Sequence, residues 1–143
     1  MNVLLSIHPK WANKIYSGEK TIEFRKSFPK NFDFQKDRVF LYETAPVKKV
    51  TGSITLLSGS QGKNVSYDSA VLKKGCVSDE DLRAYAGKGS GFFYCWLVDK
   101  VTKYETEQEL VWYAARAPQS WVYANENSGA RMPSSDKVPD DRG

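Results

Sequence analysis

The sequence predicts an α+β fold in which a small β-barrel is flanked by a few short helices. Short segments rich in branched and aromatic residues recur along the chain and outnumber the helical patterns, as in small barrels. The 143 residues, 41% of them hydrophobic, suit a single domain with one core that needs no disulfide or metal. We expect this domain to span residues 1–124 and a flexible polar tail to occupy residues 125–143, where almost nothing is apolar.

The first elements are a strand and a helix. Residues 2–7, NVLLSI, predict a short buried strand that ends before Pro9. Pro9 fits the first turn of a helix, and Gly18 supplies its C-terminal stop. One face of this helix is apolar and carries Trp11, Ala12, Ile15 and Tyr16.

The segment TIEFR follows, and it alternates as a strand does. Ile22 and Phe24 point to one face. Glu23 and Arg25 point to the other face, and Lys20 leaves the preceding turn on that side. The sequence therefore predicts that three charged side chains share one surface.

Further strands are predicted at RVFLYE (38–43), VTGSITLL (50–57), FFYCWLVD (92–99) and APQSWVYA (117–124). Gly52 marks a possible bulge, and VTKYE (101–105) either continues the strand FFYCWLVD or pairs with its sheet. SDEDLRAYAG predicts a compact helix with Ser78 as its N-cap and Gly87 as its stop. Residues 58–77 are expected to be loop with at most a short helical piece, GKGSG (87–91) a connector, and EQELVWYAA a helical turn or irregular.

Composition excludes several classes of protein. One histidine and two cysteines without a C-x-x-C pair leave almost no ligands for a zinc site, so we expect no metal and no cofactor. Cys95 lies in an apolar run and is interpreted as a buried free thiol. No apolar run is long enough to cross a bilayer, and the first residues lack a basic leader, so we expect a cytoplasmic protein. The net charge of +4 is compatible with phosphate-bearing partners.

The charged turn carries a recognisable motif. Gly18, Lys20, Glu23 and Arg25 read G-x-K-x-x-E-x-R, which resembles the signature of the ASCH domain, a relative of the RNA-binding PUA fold. LLSIHPKWANKIYSGEK before the motif, VFLYETAPVKKVTGSI after it and APQSWVY near the end follow the order of that family. The resemblance covers roughly residues 1 to 124.

The resemblance implies a PUA-like barrel whose cleft, built around the motif, binds RNA or a modified nucleobase. Arg25 would offer a rigid fork, Lys20 a point charge, and Glu23 an acceptor for a base amino group. Because opposite charges favour each other's ionised forms, we expect these groups to stay charged. The alternative is that Glu23 and Arg25 form an ordinary surface pair.

Other residues complete the candidate nucleic-acid site. Tyr42 and Trp121 are the candidates for stacking on bases, whereas Trp11 is expected to pack on its helix face. Tyr42 precedes the ETAP loop, which contains Thr44. Gln119 and Ser120 either read base edges or cap backbone groups.

His8 precedes the first helix and is the only side chain expected to titrate near neutral pH. It is therefore a candidate general base or nucleic-acid ligand. The alternative interpretation is a hydrogen-bonding or packing residue at the helix entry.

Enzymatic alternatives also follow from the resemblance. Some ASCH proteins hydrolyse N4-acetylcytidine with a lysine and a threonine of the motif, and the lysine matches Lys20 while Glu23 occupies the threonine's position. Lys20 and Glu23 are thus the candidate catalytic residues, with the carboxylate as a base on water. Ribonuclease activity, in which Lys20 and Arg25 stabilise developing charge, is another alternative. A third class is a protein-interaction adaptor in transcriptional regulation.

Overall fold

A computed structural model describes residues 1–62, 69–87 and 93–125 of the chain. The strands within these ranges are β1 (Val3–Ile7), β2 (Ile22–Arg25), β3 (Val39–Glu43), β4 (Lys49–Gly62), β5 (Phe93–Gln108) and β6 (Trp121–Tyr123). The helices are α1 (Pro9–Ser17), α2 (Ser69–Gly75) and α3 (Asp79–Ala86), and Leu110–Trp112 forms a 3-10 helix. This is the α+β composition that the sequence predicts.

The strands form one mixed sheet that curls into a half-barrel, in the order β2-β5-β4-β3-β1-β6. β1 and β3 run parallel, because α1 and β2 intervene between them in the chain. All other neighbours are antiparallel. β2 and β6 therefore lie at the two edges of the sheet, although the first and last strands of the chain are adjacent.

Local chemistry defines α1 and α3 as the sequence predicts. The imidazole Nδ1 of His8 accepts a hydrogen bond from the Lys10 amide at 3.1 Å and caps α1, while Gly18 ends it with a left-handed φ of 87°. The Ser78 hydroxyl accepts a bond from the Asp81 amide at 3.0 Å and caps α3. Both ends are set by residues within one turn of the helix.

Three apolar clusters cover the sheet. The first includes Leu5, Leu41, Ile54 and Trp96 and packs against α1 through Ala12 and Ile15. The second lies around Phe40, Tyr42 and Tyr113 beside the 3-10 helix. The third joins β2 and β5 to α3 through Phe24, Phe93 and Leu82. All five residues of β1 and of β3 are buried, which indicates that both faces of these central strands are covered.

Several predicted boundaries change. β4 continues to Gly62, so the predicted loop is wrong at residues 58–62, whereas α2 at Ser69–Gly75 is the short helical piece predicted within that segment. VTKYE continues β5 rather than forming another strand, because the β4 and β5 hairpin pairs along nearly its whole length. EQELVWYAA contains the 3-10 helix. Gly52 lies at a register shift on both sides of β4, as the predicted bulge requires.

Some predictions fall outside the described residues. They concern residues 63–68 of the predicted loop, most of the connector GKGSG and the tail from residue 126 onward. Asn125, the first residue of the predicted tail, is described, and its amide donates to the Tyr113 carbonyl at 2.8 Å. Within the described ranges, no helix has both the length and the apolar character that a bilayer crossing requires.

Replacing Gly52 by alanine is expected to destabilise the fold by about 3 kcal/mol, because the bulge has no room for a methyl group. A Cβ at Gly52 would lie 2.3 Å from the Thr102 carbonyl oxygen and 2.5 Å from the Tyr16 hydroxyl. Gly18→Ala is the control, since a Cβ there meets nothing within 4 Å and its backbone strain costs about 1 kcal/mol. Urea denaturation compares the two, and an equal or smaller cost at Gly52 contradicts the close approach.

Candidate functional site

A cleft of about 320 Å³ lies between α1 and β2 on one side and α3 on the other. Its floor consists of Trp11, Lys20, Glu23, Phe24 and Arg25. Its roof consists of Val77, Asp81, Leu82 and Tyr85, from α3 and the residues before it. Charged and aromatic side chains therefore face the same space.

The charged residues of the motif form a buried ionic triad. The Glu23 carboxylate lies 2.9 Å from Nη2 of Arg25 and 3.4 Å from Nζ of Lys20. Its side chain is 8% exposed, and those of Lys20 and Arg25 are 1% and 14% exposed. Alternation along β2 aligns Glu23 and Arg25, and the turn after α1 adds Lys20. The pair is thus buried, and the alternative of an exposed surface pair is wrong.

Arg25 also connects the two edges of the sheet. Its guanidinium donates to the Ser6 carbonyl of β1 at 2.8 Å and to the Ser120 hydroxyl just before β6 at 3.3 Å. Nε and Nη2 both donate to the Glu23 carboxylate, at 3.2 and 2.9 Å. Of the five N–H groups of an arginine, one on Nη1 has no partner among the described residues.

Lys20 lies at the bottom of the cleft and has an altered acidity. Its ammonium donates to the Gly75 carbonyl at 2.5 Å and lies 4.9 Å from the ring centroid of Trp11. Burial lowers the pKa of Lys20 below its usual value and outweighs the opposing effect of the Glu23 carboxylate. The expectation that its neighbours shift the pKa of Lys20 towards the charged form is therefore wrong in direction, because desolvation is the larger effect.

The end of α2 lies close to the floor of the cleft. The Thr21 amide donates to the Lys74 carbonyl at 2.9 Å, and a Cβ on Gly75 would lie 2.1 Å from the Phe24 ring. A residue without a side chain is needed there for the Gly75 carbonyl to reach Lys20. Tyr85 lines the roof of the cleft, and partial burial raises the pKa of its hydroxyl.

The structure exchanges the predicted roles of the aromatic residues. Tyr42 is 7% exposed within the second cluster and does not line the cleft. Trp121 packs edge to face on Trp96 and Tyr123 and donates to the Ser27 hydroxyl at 2.8 Å, again outside the cleft. Trp11, which was expected only to pack on its helix face, lines the cleft below Lys20.

Of the polar residues predicted for the site, Ser120 contacts the triad, whereas Thr44 and His8 do not line the cleft. Ser120 contacts Arg25 directly, and Gln119 is exposed beside it. The Thr44 amide donates to the Ile7 carbonyl at 3.0 Å, and Thr44 does not line the cleft. His8 caps α1 and is also absent from the lining, so its side chain has the hydrogen-bonding role of the alternative interpretation.

Sequence reasoning missed the roof residues Asp81, Leu82 and Tyr85. The helix that carries them was predicted, and the one-turn spacing of Leu82 and Tyr85 indicates a shared face. Nothing in the local sequence shows which part of the protein that face covers. The roof is defined by tertiary packing alone.

Replacing Glu23 by glutamine is expected to destabilise the protein by about 3 kcal/mol, because the buried Lys20 and the partly buried Arg25 lose their shared counter-charge. Glu19→Gln is the matched control, since Glu19 pairs with Lys14 at 3.2 Å but is 62% exposed. That variant is expected to lose less than about 1 kcal/mol. Chemical denaturation at neutral pH measures both, and equal losses contradict a buried triad.

The lowered pKa of Lys20 predicts a pH dependence of stability. The unfolded chain binds a proton at the usual lysine pKa of 10.5, whereas the folded chain releases it at lower pH. The penalty for burying Lys20 is therefore fully present below the folded pKa and disappears as the pH rises towards 10.5. The free energy of unfolding of the wild type is expected to rise relative to that of Lys20→Met over this interval. A difference that does not change between pH 7 and pH 10 contradicts the lowered pKa.

Solved structures show the same fold. A tyrosine-to-phenylalanine variant of the ASCH protein from Zymomonas mobilis matches 91% of this chain and 94% of its own, with a TM-score of 0.77 and 25% identity. The crystal structure of ASCH from Zymomonas mobilis covers 89% of this chain and 90% of its own, with a TM-score of 0.76 and 26% identity. The half-barrel with its helices is thus the fold of ASCH structures.

Curated relatives match over parts of their length. The ASCH domain-containing ribonuclease of Zymomonas mobilis is 33% identical over 82 residues, which are 57% of this chain and 54% of the relative. The large ribosomal subunit protein uL22 of Ureaplasma parvum serovar 3 is 28% identical over 123 residues, which are 85% of this chain and 38% of the relative. The chain therefore matches about half or less of the length of these two proteins.

A family model extends the comparison to nearly the whole described domain. The model, described as the ASCH domain, matches residues 5–128. This range includes the entire triad and both the floor and the roof of the cleft. The chain belongs to the ASCH domain family.

Proposed function

We propose that the cleft binds a nucleobase of RNA, with or without a base modification. The observation that carries this proposal is the joint lining of one small cleft by aromatic rings and by hydrogen-bonding charges. Its volume of about 320 Å³ lies at the lower end of the range for ligand pockets. A ligand the size of one nucleoside suits this space better than a larger molecule.

The charges of the cleft favour an uncharged polar ligand. Lys20 and Arg25 contribute two positive charges, and Glu23 and Asp81 contribute two negative charges when all four are ionised. The one N–H that Arg25 retains gives a single donor, whereas phosphate recognition by arginine typically uses two. A base edge, which carries both donors and acceptors, can pair with that donor and with the Asp81 carboxylate.

The aromatic residues provide the second element of base recognition. Trp11 and Phe24 on the floor and Tyr85 on the roof present rings to the cleft. A base between such rings gains stacking energy that does not depend strongly on sequence. Exposed Gln119, beside Ser120, is a candidate for contacts to a neighbouring nucleotide.

Relatives support RNA as the partner class. One curated relative is named a ribonuclease and another is a ribosomal protein. Both names concern proteins that act on RNA or assemble with it. For this chain, RNA binding is a proposal that combines those names with the chemistry of the cleft.

Replacing Tyr85 by alanine is expected to weaken binding of single-stranded RNA about 10- to 100-fold, because one stacking surface is lost. Phe34→Ala is the matched control: Phe34 is 37% exposed and Tyr85 is 38% exposed, but Phe34 stacks on Phe28 outside the cleft. Titration of RNA oligonucleotides and nucleosides into each variant, followed by tryptophan fluorescence, measures the dissociation constants.

Two results would contradict the proposal. One is that no RNA or nucleoside binds, as expected of a protein-interaction adaptor. The other is that Tyr85→Ala and Phe34→Ala weaken binding equally. Either result would remove the cleft as the binding site.

RNA cleavage is the second candidate function, and the acidity of Lys20 favours it. A lysine whose pKa is lowered by burial releases its proton more readily than a surface lysine does, and the neutral amine can then accept a proton. We expect cleavage of labelled RNA, if present, to be abolished in Lys20→Met while RNA binding is retained. The same assay with N4-acetylcytidine, followed by release of acetate, tests the amidohydrolase alternative with Lys20 and Glu23 as its catalytic residues.

A further inference from the structure

We propose that the ligand is a single-stranded RNA chain rather than a free nucleoside, and that Lys10 and Lys26 bind the phosphates on either side of the base in the cleft. This inference rests on the proposed function and names its substrate class.

Two exposed lysines contact aromatic rings that line the cleft. The ammonium of Lys10 lies 4.8 Å from the ring centroid of Trp11, and that of Lys26 lies 5.5 Å from the ring centroid of Tyr85. Trp11 belongs to α1 on the floor and Tyr85 to α3 on the roof. One lysine therefore contacts the floor of the cleft and the other contacts its roof. A base held between these rings has its sugar and phosphates near the edge where the ammonium groups lie.

Neither lysine is paired with a carboxylate of the described residues. In the described part of the chain, no carboxylate lies within ion-pair distance of Lys10 or Lys26. Lys14 and Lys49, by contrast, pair with Glu19 and Glu109. A mobile ammonium group without a carboxylate partner is well suited to a phosphate at the surface.

The interior of the cleft cannot neutralise a phosphate by itself. When all four groups are ionised, its two cations are balanced by two carboxylates, and most donors of Arg25 are used within the protein. The backbone charge of a bound strand must therefore be neutralised outside the cleft. Among the described residues, Lys10 and Lys26 are exposed cations that contact its lining rings.

The salt dependence of binding tests this inference. For single strands, each neutralised phosphate contributes a slope of about −0.7 to log K against log salt concentration, so two contacts give about −1.4. Raising the salt from about 50 to about 200 mM is then expected to weaken binding about sevenfold. The probes are a labelled ten-nucleotide single-stranded RNA of mixed sequence and the four free nucleosides, whose binding is expected to be nearly independent of salt.

Three variants locate the phosphates. Lys10→Gln and Lys26→Gln are each expected to reduce the magnitude of the slope by about 0.7, and the double variant by about 1.4. Lys103→Gln is the matched control, because the Lys103 ammonium lies 5.5 Å from the ring centroid of Tyr16, which does not line the cleft. Nucleoside binding is expected to stay unchanged in all three single variants.

The outcomes separate this inference from the proposed function. If RNA binds and Tyr85→Ala weakens it, but both cleft lysine variants behave like Lys103→Gln, the phosphate sites are wrong and the base site stands. If nucleosides bind as tightly as the RNA at low salt, the preference for a strand is wrong. If neither probe binds, the proposed function itself fails.

Discussion

The contact between Arg25 and Glu23 holds the half-barrel and the cleft together. Arg25 lies on edge strand β2, and its guanidinium reaches the Ser6 carbonyl and the Ser120 hydroxyl near the other edge. The Glu23 carboxylate fixes the orientation of that guanidinium through two donors. Because one guanidinium spans both edges, closure of the sheet and construction of the cleft depend on the same side chains.

The burial of Lys20 beside this pair determines its acidity. The Lys20 ammonium is held between the Glu23 carboxylate, the Gly75 carbonyl and two aromatic rings. These groups offset part of the cost of removing a charge from water, but the pKa of Lys20 is still lowered. The cleft thus combines a permanently charged guanidinium with an amine that releases its proton more readily than a surface lysine does.

The sequence predicts the positions of the charged residues of the cleft better than those of the aromatic residues. Glu23 and Arg25 lie three and five positions after Lys20, which itself follows the stop of α1. This spacing and the alternation of β2 suffice to place the three side chains on one side of the strand. The aromatic residues cannot be assigned in this way, because Tyr42 and Trp11 both lie in apolar patterns. Tyr42 is buried since a second cluster covers the outer face of β3, whereas Trp11 remains half-buried at the end of the first cluster.

The sequence alone determined the features that depend on neighbours within a few residues: the start and stop of α1, the Ser78 cap, the bulge at Gly52 and the alternation of β2. Tertiary structure alone decided the continuation of β4 and β5, the roof over the triad and the direction of the Lys20 pKa shift. The physical reason is that caps and alternation arise from local backbone geometry. Burial and desolvation are sums over residues distant in the chain, and local patterns do not contain them.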